Sequence, residues 1–140
     1  RLQSNKVAML SPFVDTWQSV DRLKLLEEIA RHSPNARIMV QVNTTQERDK
    51  AGCAPAEVAH LVRRDRALGL EVIGLMTVGP THGDEQLVRE SFTLAARLRG
   101  EQGLGELSMG MSGDMDIAVE LGATMVRVGT AIFGGRPPKN

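Results

Sequence analysis

Residues 108–114 read Ser-Met-Gly-Met-Ser-Gly-Asp and connect a predicted strand directly to a predicted helix. Gly110 and Gly113 let the backbone come close to a ligand, because glycine has no side chain in the way. Ser112 offers a hydroxyl beside a helix N-terminus, whose free N–H groups attract anions. The pattern predicts an anion site that contains Ser112 and is lined by Met111. A plain loop, in which Ser112 only caps the helix, is the alternative.

A second loop, residues 125–130 (Met-Val-Arg-Val-Gly-Thr), lies at the end of a strand predicted over Thr124 to Val128. Arg127 is unusual in a strand, because arginine is almost never fully buried without a partner. It needs a ligand or a carboxylate, and a structural ion pair is the alternative to a binding role. Gly129 and Thr130 then offer backbone N–H groups. Since barrel proteins often bind phosphate with the loops after their last two strands, the two loops together predict a phosphorylated ligand.

The rest of the chain alternates strands with helices, which predicts an α/β protein with a parallel sheet. Asp21 is expected to cap the first helix after a strand, and Gly69 to end the helix that begins near Pro55. Two architectures fit: an open doubly wound sheet, or part of a (β/α)8 barrel, which normally needs about 200 residues or more. Periodicity alone favours the open sheet, and the two loops favour the barrel. Strands are predicted at residues 17–20, 37–43, 71–76, 106–108 and 124–128.

A third candidate loop follows the strand at residues 37–43. Asn43 lies at its C-terminal end, where α/β proteins bind ligands, and is therefore a candidate binding residue. Lys50 and Gly52 follow in the same loop. Lys50 is either a ligand group or a solvated loop cation, and the second is the simpler interpretation.

Composition excludes several classes of protein. The 140 residues carry 17 basic and 17 acidic side chains, so net charge gives no case for nucleic acid or an anionic membrane, and aromatic residues are only 3%. No stretch has the roughly 18 apolar residues of a membrane span. His32, His60 and His82 show no metal-ligand spacing, and no nucleophilic catalytic motif is present. We expect a single domain over residues 1–140, in the cytoplasm, with Cys53 reduced.

At these residues the sequence resembles the pyridoxal phosphate homeostasis protein family, which has the fold of the alanine racemase N-terminal domain. The resemblance implies a barrel that binds pyridoxal 5′-phosphate (PLP). Ser112, Gly129 and Thr130 would hold the phosphate, and Arg127 would face the pyridine nitrogen. The matching stretches cover nearly the whole chain in the family's order: residues 2–6, 19–21, 42–43 with 50 and 52, 74–76, 107–112 with 114–115, and 125–134.

The resemblance also implies a PLP carrier that is not an enzyme, with PLP-dependent apo-enzymes as candidate partners. A PLP-dependent racemase-like fragment is the alternative. Family members begin with further βα units, the first of which carries the Schiff-base lysine, whereas this chain begins at Arg1 within the third unit. We therefore expect a partial (β/α)8 barrel of the alanine racemase N-terminal type that lacks its first two to three strands. Its exposed sheet edges would then allow association with other chains.

Overall fold

A computed structural model describes residues 1–82 and 84–134. Its centre is a four-stranded parallel sheet in the order β1-β2-β3-β4. The strands are β1 (Thr16–Val20), β2 (Arg37–Gln41), β3 (Glu71–Met76) and β4 (Glu106–Ser108), and the helices are α1 (Val7–Leu10), α2 (Leu23–His32), α3 (Val58–Ala67), α4 (Glu85–Glu101), α5 (Met115–Glu120) and α6 (Thr130–Phe133). Short 3-10 turns precede α1 and α3. None of the described helices is both long and apolar enough to cross a lipid bilayer.

Strand order decides between the two expected architectures. A doubly wound sheet reverses its strand order and carries helices on both faces, whereas consecutive order with every helix on one face belongs to a barrel wall. Here the strands follow one another in sequence, and one continuous apolar cluster joins strand residues to α2, α3, α4 and α5. Ile38, Val40 and Leu107 face that cluster, while the buried Met39 and Met76 do not belong to it. The sheet therefore has a helix-covered face and a separate inner face.

The sheet is also curled. In a flat sheet β1 and β4 would lie roughly 14 Å apart, because neighbouring strands are about 4.8 Å apart. Yet the Ser108 hydroxyl on β4 donates a hydrogen bond to Gln18 Oε1 on β1 at 2.9 Å. The Gln18 amide also reaches Met125 Sδ at 3.7 Å. Side chains on the inner face thus meet across the arc, as they do inside a barrel.

Two predicted local features are wrong. The segment 124–128 forms no regular strand, since it pairs with β4 only through the bridge between Met125 and Ser108. The partner strand stops because Gly110 adopts φ +91°, which breaks the extended conformation. Asp21 does not cap α2 with its side chain; its buried carboxylate instead pairs with Arg1 at 3.3 Å and Arg22 at 2.5 Å.

One other local prediction holds: the helix that follows Pro55 ends before Gly69, which has φ +77°. The Asp84 side chain accepts the Leu87 N–H and caps α4. Neither Ser112 nor Asp114 gives α5 a side-chain cap, however. The Asp114 carboxylate instead accepts the Met111 N–H at 2.6 Å, because the turn before α5 folds back on itself.

Candidate functional site

The structure brings most of the predicted site residues to one cavity. Met111, Ser112, Arg127 and Gly129 line an open space of about 490 Å³, together with Gly113 and Val128. Thr130 begins α6 directly after this cavity, and its side chain lies outside what the structure describes. The volume falls within the range that small-molecule sites usually have. The two loops singled out in the sequence therefore line one cavity.

Backbone contacts hold the two loops together. The Met109 N–H donates to the Met125 carbonyl at 3.1 Å, and the Arg127 N–H donates to the Gly110 carbonyl at 2.9 Å. At the far end of this pairing the Ala131 N–H donates to Ser112 Oγ at 3.4 Å. The hydroxyl of the first loop thus meets the first turn of α6 in the second loop.

Gly110 is required where these loops cross, although for a different reason than close approach to a ligand. A Cβ at this position would lie 2.5 Å from the Ala118 Cβ of α5, and φ is +91°. Real atoms do not approach that closely, so only glycine lets α5 pack against the loop. Gly110 therefore fixes the positions of Ser112 and α5, and its role is not to make room for the ligand.

Several N–H groups of the cavity wall have no acceptor within the protein. Among the described residues, nothing accepts a hydrogen bond from the backbone N–H groups of Ser112, Gly113 or Gly129. All three residues line the cavity. Free backbone N–H groups of this kind favour an anion, because they supply partial positive charge.

Arg127 is held by neutral acceptors. Its Nη1 donates to Ser108 Oγ and its Nη2 to the Thr77 carbonyl, both at 2.7 Å. Ser108 can accept because its own proton goes to Gln18. No carboxylate of the described residues lies within ion-pair distance of Arg127, so the structural ion pair considered for this residue is not what holds it.

Burial lowers the pKa of the Arg127 guanidinium, and the nearby Asp114 charge offsets part of that effect. Arginine nevertheless keeps its proton in proteins. Of its five N–H donors, two are used by Ser108 and Thr77. Arg127 lines the cavity, so an acceptor on a ligand could take a hydrogen bond from one of its remaining donors.

Asn43 is not among these residues. It lines a separate depression of about 300 Å³, together with Glu47, Lys50 and Gly52. Its Nδ2 donates to the Glu47 carbonyl at 2.8 Å, and its Oδ1 accepts from the Thr45 N–H at 3.2 Å. Asn43 therefore organises its own loop, and its assignment to the ligand stays a prediction.

Lys50 is not the solvated cation that was expected. Its ammonium pairs with Glu47 Oε1 at 2.8 Å and also donates to the Gly79 carbonyl, so it ties the loop after β2 to the loop after β3. Hydrogen bonds from Lys50 and Thr81 hold the pKa of the Glu47 carboxyl at about 2. The Lys50–Glu47 pair therefore has a structural role, since it holds the two loops together.

Three residues that support the site, Gln18, Thr77 and Ser108, were not singled out in the sequence. Gln18 and Ser108 carry a weak signal, since each is a polar residue next to an apolar one that packs under the helices (Trp17 and Leu107). In a parallel strand such a polar residue indicates the inner face. Thr77 gives no such signal, because its backbone carbonyl makes the contact.

Comparison with known proteins assigns the family. Residues 6–137 match the alanine racemase N-terminal domain. The chain belongs to the alanine racemase N-terminal domain family. Within that family it is similar to the pyridoxal phosphate homeostasis protein of Vibrio cholerae, with 37% identity over 145 residues that cover 96% of this chain and 61% of the relative. The predicted resemblance is confirmed.

Solved structures agree with this membership of the alanine racemase N-terminal domain family. PipY of Synechococcus elongatus, solved with PLP bound, superposes with a TM-score of 0.85 at 33% identity and covers 96% of this chain and 68% of its own. An alanine racemase of Clostridium difficile superposes with a TM-score of 0.76 at 14% identity, covering 99% of this chain and 39% of its own, and shows the shared fold alone. The expected α/β fold, part of a barrel of this type, is confirmed.

The chain spans 61% to 62% of the length of the first curated relatives that it matches. What those whole proteins do is therefore a proposal for this chain. In the part of the chain that the structure describes, no three His, Cys, Asp or Glu side chains converge on a place that could hold a metal ion.

Proposed function

We infer that this chain binds PLP in the cavity between the two loops. The phosphate would be held by Ser112, Gly129 and Thr130 and by the free N–H groups beside them, and Arg127 would face the pyridine nitrogen. The observation that carries this proposal is that Arg127 is held by Ser108 and Thr77, both neutral, at the wall of the cavity that those N–H groups also line.

The chemistry of the residues fits both ends of PLP. A phosphate carries three strong acceptor oxygens, and the N–H groups of Ser112, Gly113 and Gly129 are donors without acceptors among the described residues. A pyridine nitrogen is a single acceptor, which matches one N–H of a guanidinium. The similarity to PipY, whose structure contains PLP, supports the same assignment.

The residues favour binding over catalysis. When bound, PLP supplies an electron sink for reactions of amino acids, and a proton on its ring nitrogen strengthens that sink. Arg127 cannot give up a proton, so it would hold the ring nitrogen unprotonated and weaken the sink. We propose a carrier that acts in PLP homeostasis, as the name of the curated relatives supports. We further propose that it acts in the cytoplasm and passes PLP to apo-enzymes. Met111 and Asn43 are proposed as further contacts of the ligand.

The proposal is tested by titrating the full chain with PLP and measuring the dissociation constant. Arg127→Met should weaken PLP binding about 10-fold or more, because a charge-assisted hydrogen bond is lost. Ser112→Ala should weaken both PLP and inorganic phosphate. The matched control is Arg97→Met, at an exposed position of α4 whose side chain, within the described part of the chain, pairs with Glu101 alone at 3.7 Å, and it should leave both affinities unchanged.

Two results would overturn the proposal. If the wild-type chain binds no PLP, the cavity is not a PLP site. If Arg127→Met binds PLP as tightly as the wild type, Arg127 does not face the ring. An assay of alanine racemisation separates the carrier from the racemase-like alternative, since a carrier gives no turnover.

A further inference from the structure

A chain of three hydroxyls runs from α4 to the residue that holds Arg127. Ser91 Oγ lies 2.6 Å from Thr44 Oγ1, and Thr44 Oγ1 lies 2.8 Å from Thr77 Oγ1. Thr77 Oγ1 donates to the Val42 carbonyl at 2.9 Å. All three side chains are buried, with exposures of 4%, 7% and 0% for Ser91, Thr44 and Thr77.

The direction of each hydrogen bond in this chain is fixed. A hydroxyl has one proton, and Thr77 gives its proton to Val42. Thr77 must therefore accept from Thr44, and Thr44, having used its proton, must accept from Ser91. Each hydroxyl donates one hydrogen bond, so removal of any one of the three leaves a buried neighbouring group without its hydrogen-bond partner.

The last hydroxyl of the chain belongs to Thr77, and the backbone carbonyl of the same residue positions Arg127. Thr77 is fixed by its side-chain contacts with Val42 and Thr44 and by its N–H, which donates to the Ser108 carbonyl at 3.0 Å. The Thr77 carbonyl then accepts from Arg127 Nη2 at 2.7 Å. Ser108 also supplies the other acceptor of Arg127. Both supports of the guanidinium therefore belong to one connected network.

We propose that Thr44 and Ser91 are positioning residues for Arg127, acting through the Thr77 carbonyl. The inference rests on the proposed PLP site and adds residues that touch neither the cavity of Arg127 nor its ligand. Thr44 follows β2, Thr77 follows β3 and Ser91 lies on α4. Residues from three separate segments therefore help to orient the Thr77 carbonyl. A guanidinium with three unused donors needs such an anchor, because its hydrogen bonds to a ligand depend on its direction.

The test is Thr44→Val, which keeps the shape of the side chain and removes the hydroxyl. PLP affinity should fall about 5- to 10-fold, as expected for the loss of one oriented hydrogen bond. The affinity for inorganic phosphate should stay unchanged, because the N–H groups near Ser112 do not depend on Thr77. In the ligand-free protein the Arg127 Nε–H signal should move or broaden in an NMR spectrum. Thr44→Ser should restore the PLP affinity and the Arg127 signal and leave the phosphate affinity unchanged.

Ser91→Ala is the second variant and should show the same pattern with a smaller change, because it removes only the far end of the chain. Thr93→Val is the matched control, since Thr93 is exposed on the same helix. Equal loss of PLP and phosphate affinity in both variants would indicate general disruption and overturn the proposal. Unchanged PLP affinity together with an unchanged Arg127 signal would also overturn it. Failure of the wild-type chain to bind PLP would instead refute the proposed function, and the positioning role would fall with it.

Discussion

Two ionisable side chains lie on opposite sides of the sheet in opposite surroundings: Arg127 is half-buried and hydrogen-bonded, whereas Asp65 is fully buried without a hydrogen-bond partner among the described residues. Arg127 belongs to the inner side, where Ser108 and Thr77 accept two of its N–H groups. Asp65 lies on α3 under the helix layer, fully buried, and neither of its carboxylate oxygens has a hydrogen-bond partner among the described residues. Burial lowers the pKa of Arg127 and raises the pKa of Asp65 to about 8.

The difference follows from what each group can do with its proton. Arginine stays charged even when buried, so the protein must supply acceptors for it. An aspartic acid can take up a proton and become neutral, so it survives without partners. The charged group with neutral supports lies at a cavity and is suited to a ligand. The neutralised group lies in the core, where its effect is on stability.

The largest expected effect comes from Asp65→Asn, which keeps the shape and removes the titration. The folded pKa of Asp65 is about 8, and the unfolded value is about 3.9. Because the folded pKa is raised, the wild type loses stability as pH rises from about 4 to about 8, by about 1.4 kcal/mol per pH unit. The variant should match the wild type near pH 4 and exceed it by about 3–5 kcal/mol at pH 8 in urea unfolding experiments.

The control for this experiment is Asp15→Asn, because the Asp15 side chain is 85% exposed. It should keep the wild-type slope of stability against pH. The contrast between Arg127 and Asp65 fails if the unfolding free energy of the wild type, relative to that of Asp65→Asn, does not fall between pH 5 and pH 8. Asp65 would then be solvated or hydrogen-bonded, and not buried without a partner.

The same two residues show how far sequence reasoning reaches. Arg127 could be singled out as a candidate from the sequence because an arginine in an apolar strand is conspicuous, and the structure places it at the wall of the cavity. Asp65 could have been noticed too, since it follows Val58, Leu61 and Val62 on the apolar stripe of its helix. The network of Thr77 could not, because it depends on contacts between residues 33 to 50 positions apart. The fold was recoverable because two adjacent loops carry the family's pattern, whereas the assignment of Asn43 rested only on its place at a strand end.

A smaller effect should come from Gly110→Ala, which tests the junction between the two faces. The new Cβ would meet the Ala118 Cβ at 2.5 Å, and alanine resists the φ of +91°. Strain and overpacking together should destabilise the fold by about 2–4 kcal/mol and weaken phosphate binding at Ser112. Gly113→Ala is the control, because its Cβ would meet nothing within 4 Å. Equal stability of the two variants, measured by urea unfolding, would show that α5 does not pack on the loop as described.

The smallest effect should come from an exposed cluster of ion pairs, in which each charged side chain has a partner of opposite charge. Arg89 on α4 makes two hydrogen bonds of 2.9 Å to Glu120 on α5 and one of 2.8 Å to Glu85. The contacts with Arg89 lower the pKa of Glu120, so the pair stabilises the fold above the ordinary glutamate pKa and loses that effect as pH falls through the lowered value. Water competes for exposed charges, however.

Glu120→Gln should therefore lower Tm only slightly at pH 7, and the difference should vanish in about 1 M NaCl, where the screening length is about 3 Å. Glu27→Gln is the control, at an exposed position of α2 that forms no ion pair with the described residues, and it should leave Tm unchanged at either salt concentration. A loss of stability as large as that of Gly110→Ala would mean that the bidentate contact locks α5 to α4. In that case the exposed Arg89–Glu120 pair would help to determine how firmly the loop at Ser112 is held, and the contrast between Arg127 and Asp65 would matter less.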